Sequence, residues 1–87
     1  MPIVTLRYWA AAKDAAGVAD EKVEALTLAD ALAAAGRQSA RPPDLLRPVL
    51  ARSSFLVNGE PVGLRPPDSV VLTDDALIEV LPPFAGG

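Results

Sequence analysis

The chain has 87 residues, about half of them apolar, and a formal net charge of −3 from 8 basic and 11 acidic side chains. That length provides one small domain, which buries only about 60–65% of its unfolded surface. Cysteine and histidine are both absent, which excludes disulfides, thiolate nucleophiles, Cys/His zinc sites and the usual near-neutral general base. The basic residues are scattered, so no footprint for nucleic acid stands out. No apolar run is long enough to span a bilayer, and no basic leader with an apolar stretch precedes the first strand. The expectation is a cytoplasmic protein that has no nucleic-acid or membrane partner, binds no metal or cofactor itself and is not catalytic alone.

Ile3-Val4-Thr5-Leu6-Arg7-Tyr8-Trp9 is rich in β-branched and aromatic residues and predicts the best strand of the chain. Ala10 to Gly17 predicts a short helical turn with Gly17 as its stop. Asp20 to Leu26 predicts a second strand, antiparallel to the first, with Glu21, Lys22 and Glu24 on an exposed edge. Thr27 reads as a helix N-cap with Asp30 three residues on, a capping box with Asp in place of Glu. Leu28, Ala31, Leu32 and Ala35 then form an apolar stripe at helical spacing, and Gly36 ends the helix. Arg37 to Pro43 reads as a loop. Asp44 to Arg52 reads as a second short helix whose length Pro48 limits.

Phe55-Leu56-Val57 followed by Asn58-Gly59 predicts a hairpin, with Glu60-Pro61-Val62 as its return strand. Pro61 has no N–H for a ladder, so this strand must be short or at an edge. Arg65 to Asp68 is a loop, Val70-Val71-Leu72 a short apolar run and Thr73-Asp74-Asp75 a turn. Leu77 to Leu81 is the last strand. The order β-β-α, then short strands, with a strong strand at each end, predicts that the terminal strands pair in the sheet centre. A mixed sheet with one main helix across one face satisfies this: an α+β, ubiquitin-like β-grasp domain over residues 1–81.

After Leu81 the chain reads Pro82-Pro83-Phe84-Ala85-Gly86-Gly87. Two prolines cannot both continue a central strand, and each fixes its own φ, so residues 82–87 read as an extended, semi-rigid tail. Five residues from Pro83 to Gly87 reach about 17 Å. A terminal Gly-Gly can enter a channel too narrow for any side chain. Two closing glycines arise by chance about 0.5% of the time, so their weight comes from the stiff stem, the lack of catalytic side chains and the strand order.

The ending Leu-Pro-Pro-Phe-Ala-Gly-Gly resembles that of the MoaD/ThiS sulfur carriers, most closely on the molybdopterin-synthase small-subunit side of that family. The resemblance runs through Leu6-Arg7-Tyr8-Trp9-Ala10, the helix start at Leu28 to Leu32, and Phe55-Leu56-Val57-Asn58-Gly59. It implies a mechanism. An adenylating, E1-like enzyme activates the Gly87 carboxylate with ATP, and a sulfur donor converts it to a thiocarboxylate. The tail then enters the large subunit of molybdopterin synthase and delivers sulfur to precursor Z. Gly87 would be the reacting residue and Gly86 its slender neighbour. Trp9, Pro61, Leu81, Pro82, Pro83, Phe84 and Ala85 would be the partner contacts, with core burial an even alternative for Trp9 and Leu81. Two departures stand out. Asp75 replaces a glycine common before the last strand, a position where Asp tolerates positive φ. Phe84 is bulkier than the usual valine, which bears on partner choice.

Alternative readings are sulfur delivery to thiamine or another pathway, a ubiquitin-like protein modifier, and an interaction domain with an inert tail. Asp44, Asp68, Asp74 and Asp75 read as turn and cap residues rather than a metal or acid/base set. Arg37, Arg41, Arg47, Arg52 and Lys13 read as solvated surface.

Overall fold

The computed structural model describes residues 1–38 and 41–83. Strand β1, Ile3–Tyr8, buries Val4, Leu6 and Tyr8 on one face and turns Ile3, Thr5 and Arg7 to the other. Helix α1, Ala10–Ala16, follows and ends at Gly17, whose N–H donates to the Lys13 carbonyl at 2.9 Å. Strand β2, Asp20–Glu24, returns antiparallel to β1 with Leu6 opposite Glu21. The capping box forms as expected at helix α2, Leu28–Ala34. Asp30 N donates to Thr27 Oγ1, and Thr27 N donates to Asp30 Oδ2, both at 3.2 Å. A 3₁₀ turn, Pro43–Leu45, leads to helix α3, Arg47–Arg52. Strands β3, Ser54–Val57, and β4, Glu60–Pro61, make the hairpin, and β5, Leu77–Leu81, closes the sheet.

The strand order is β2-β1-β5-β3-β4. The terminal strands β1 and β5 pair in parallel at the centre, as the sequence order predicts, and the other pairs are antiparallel. Parallel neighbours need a long crossover; here it is everything between β1 and β5. Core side chains from β1 and β5 pack against Ala12, Ala16, Leu28, Ala31 and Leu46. The alanines let the short helices lie close to the sheet, and Tyr8, Leu6, Leu28, Leu46 and Ile78 supply the bulk of the core. Asn58 and Gly59 both adopt positive φ, 51° and 83°, as the tightest hairpin turns require. Asp75 does the same at 65°, so it takes the place of the expected glycine.

Several local expectations are corrected. Trp9 lies outside β1, and β2 stops at Glu24 rather than Leu26. Helix α2 runs to Ala34 and, as expected, Gly36 stops it, at φ 84° just past the Ala35 cap, where a Cβ would also press on Leu46 at 3.3 Å. Pro48 sits in the first turn of α3 and starts the helix instead of limiting it, because a first-turn N–H has no intrahelical acceptor to lose. Val62 lies just past β4 and is buried. Val70 to Leu72 forms no strand; Val71 makes one isolated bridge to Thr27.

The largest correction is Glu21, expected on an exposed edge but only 2% exposed. Its carboxylate accepts hydrogen bonds from the Tyr8 hydroxyl and the Gly36 N–H, and from the Gln38 N–H at 3.3 Å. A buried carboxylate is tolerable only with such donors. Burial, then the Glu21 hydrogen bond and its charge, hold the Tyr8 hydroxyl neutral well above the usual tyrosine range.

Candidate functional site

Side chains alternate across a sheet, so burying Ile78 and Val80 of β5 leaves Leu77, Glu79 and Leu81 on the face away from the helices. The register extends this open face across the sheet. Asp20, Arg7, Glu79, Leu56 and Pro61 form one cross-strand row from β2 to β4. Leu56, Leu77 and Leu81 are half-buried and Pro61 is exposed. Beyond Pro61, the cleft between β3, β4 and the loop that follows has a volume of 460 Å³ and includes Phe55, Leu56, Pro61 and the fully exposed Leu64.

Trp9 stands at the end of β1 beside the end of β5. Its N–H donates to the Val80 carbonyl at 3.2 Å, and its own carbonyl accepts from Ala12 N at 3.0 Å. The next residue, Ala10, turns into α1 with φ 49°, a left-handed conformation that costs a non-glycine residue about 1 kcal/mol. These constraints leave Trp9 45% exposed, with its Nε1 donating to Glu79 Oε2 at 3.2 Å. Core burial is thereby excluded for Trp9. Leu81 is half-buried and pairs with Ser54.

Three of the expected contact residues, Trp9, Leu81 and Pro61, therefore share one face, though not one spot. Pro61 lies two strands from β5, about 10 Å away. Pro82 and Pro83 continue from β5 outside the sheet, Pro82 half-buried and Pro83 exposed. Phe84, Ala85, Gly86 and Gly87 lie outside the described residues. Glu79, Arg7, Leu56 and Leu77 were not singled out by sequence reasoning. The alternation of Leu77-Ile78-Glu79-Val80-Leu81 was the available signal, once the buried parity was known.

Among the described residues, no group of carboxylates is placed to hold a metal ion. The loop carboxylates act locally: Asp74 Oδ1 accepts from Ile3 N at 2.8 Å. Among the same residues, no helix is long and apolar enough to cross a membrane. The site is thus an open, partly apolar sheet face from whose central strand a proline stem leaves.

A sequence profile described as the ThiS family matches residues 6–87. No curated protein sequence matches the chain. Solved structures match closely in shape at low identity. The small archaeal modifier protein 1 of Methanosarcina acetivorans is 22% identical with a TM-score of 0.80, covering 100% of this chain and 98% of that one. The putative molybdopterin converting factor subunit 1 of Pyrococcus furiosus is 20% identical with a TM-score of 0.75, over 97% and 100% of the two chains. A chain from the complex of subunits 1 and 2 of the Helicobacter pylori molybdopterin-converting factor is 22% identical with a TM-score of 0.64, over 98% and 99%. At these identities the likeness establishes the ubiquitin-like β-grasp fold.

Proposed function

The chain belongs to the ThiS family, and on that premise we propose that it is a sulfur carrier acting through its C-terminal carboxyl group, as the small subunit of a molybdopterin synthase. One observation carries the reading. The central strand β5 runs directly into Pro82-Pro83 beside the exposed Trp9, so the stem of the tail is anchored in the middle of the sheet, paired on both sides. Rigid anchoring at the stem is what delivery of a short terminal reagent to a partner's channel requires.

In this reading an E1-like partner joins the Gly87 carboxylate to the α-phosphate of ATP, and pyrophosphate leaves. Sulfide supplied by a donor displaces AMP, which leaves a thiocarboxylate on Gly87. In the large subunit the thiocarboxylate sulfur attacks a carbon of precursor Z and displaces an oxygen substituent from it, and water then cleaves the acyl–sulfur bond. The sulfur stays on the acceptor and the carboxylate is restored. ATP, acids and bases belong to the partners, and the chain binds no cofactor. The cycle takes place in the cytoplasm. Trp9, Leu81 and Pro61 dock the open face, Pro82 and Pro83 aim the tail, Phe84 and Ala85 line the channel mouth, and Gly86 threads.

A second reading is a protein modifier joined through Gly87 to lysines, favoured by the likeness to a small archaeal modifier protein. Intact mass of the chain, purified after expression with its native partners, separates the two. A species with one terminal oxygen replaced by sulfur supports the carrier, and conjugates to other proteins support the modifier. Neither species, together with a harmless Gly87 deletion in cells that need molybdenum cofactor, would refute both.

A further inference from the structure

Glu79 is the acidic residue in the middle of the open face. It is half-buried, next to Leu56 on β3 and Arg7 on β1, with Leu77 and Leu81 before and after it on the same side of β5. Its carboxylate has room for about four hydrogen bonds, and among the described residues it receives one, from the neutral indole of Trp9. Arg7 lies in register between Asp20 and Glu79, yet among the described residues it forms no ion pair with either. The charge of Glu79 is therefore left to water.

We infer that Glu79 is a specificity-determining residue: it selects a partner whose docking surface carries a guanidinium or ammonium group set among apolar side chains. The inference rests on the sulfur-carrier reading, in which a partner covers this face. Covering it removes the water from Glu79. A buried carboxylate with too few donors is strongly disfavoured, so a purely apolar partner surface is rejected even where its shape fits. A partner arginine can instead meet the carboxylate with two parallel hydrogen bonds. Glu79 precedes Leu81 by two residues, so the same contact sets the register of the tail's stem on the partner. The Trp9 hydrogen bond holds the carboxylate in place before docking.

The test is the affinity of the full chain for the purified large subunit of molybdopterin synthase from the same organism, by calorimetry across a salt series. Glu79→Gln keeps an oxygen for the Trp9 indole and removes the charge. The expected result is about tenfold weaker binding, with loss of most of the salt dependence, while Glu79→Asp retains that dependence. Trp9 is the sole tryptophan, so unchanged emission of free Glu79→Gln verifies that the face is intact. If that variant binds within twofold of the native chain at every salt concentration, Glu79 only tethers Trp9 and the inference is overturned. If the native chain itself does not bind, the carrier reading falls and this inference with it.

Discussion

Removing the carboxylate of Glu21 tests how this small domain is held together. Both the Tyr8 hydroxyl and the Gly36 N–H donate to the same oxygen, Oε1. Glu21→Ala leaves these two donors buried without an acceptor, at about 1–3 kcal/mol each. The longer Gln38 bond, 3.3 Å, adds little. The sum, on the order of 2–6 kcal/mol, is a large fraction of the roughly 5–10 kcal/mol available to a domain of this size. At about 4–8 °C per kcal/mol, melting should fall by roughly 10–50 °C. Glu21→Gln retains one acceptor oxygen for both donors and should lose only about 1 kcal/mol. Urea and thermal unfolding followed by circular dichroism check both values. Equal losses for Ala and Gln, or an Ala variant within about 1 kcal/mol of the native chain, would refute the argument that Oε1 is the shared acceptor that matters.

Tyr8 extends the same logic to pH. It is the only tyrosine, and its folded-state pKa is raised above the ordinary value of 10.0. Its contribution is fully present below pH 10. Above that, the unfolded chain loses a proton that the folded chain keeps, so stability falls by about 1.4 kcal/mol per pH unit until the folded pKa is reached. Tyr8→Phe should be less stable at neutral pH but lack this extra slope, and phenolate absorbance of the native chain should appear only as it unfolds. A normal phenolate titration in the folded protein would contradict the burial argument. At the turn before β5, Asp75→Val should cost about 1–2 kcal/mol, because a β-branched residue fits poorly at φ 65°. Asp75→Gly should stay within about 0.5 kcal/mol of the native chain. Urea midpoints decide, and a fully stable valine variant would show that the turn does not depend on this conformation.

Features encoded in neighbouring residues were legible from the sequence alone. Thr27 and Asp30 lie three apart, so the capping box could be read before any fold was known. Asn58-Gly59 announced its turn through backbone preference, and Pro82-Pro83 announced the end of β5 because proline cannot donate to a ladder. The central pairing of the terminal strands followed from their strength and order. Tertiary structure alone decided the role of groups far apart in the chain. Glu21 looks like an edge charge until Gly36 and Tyr8 converge on it. Glu79 and Trp9, 70 positions apart, meet only because β1 and β5 lie parallel and adjacent. Periodicity separates the two faces of a strand, but it does not say which face the helices cover. Only that packing choice put Trp9, Glu79, Leu81 and Pro61 on the open side, because burying Val80 and Ile78 left no other side for them.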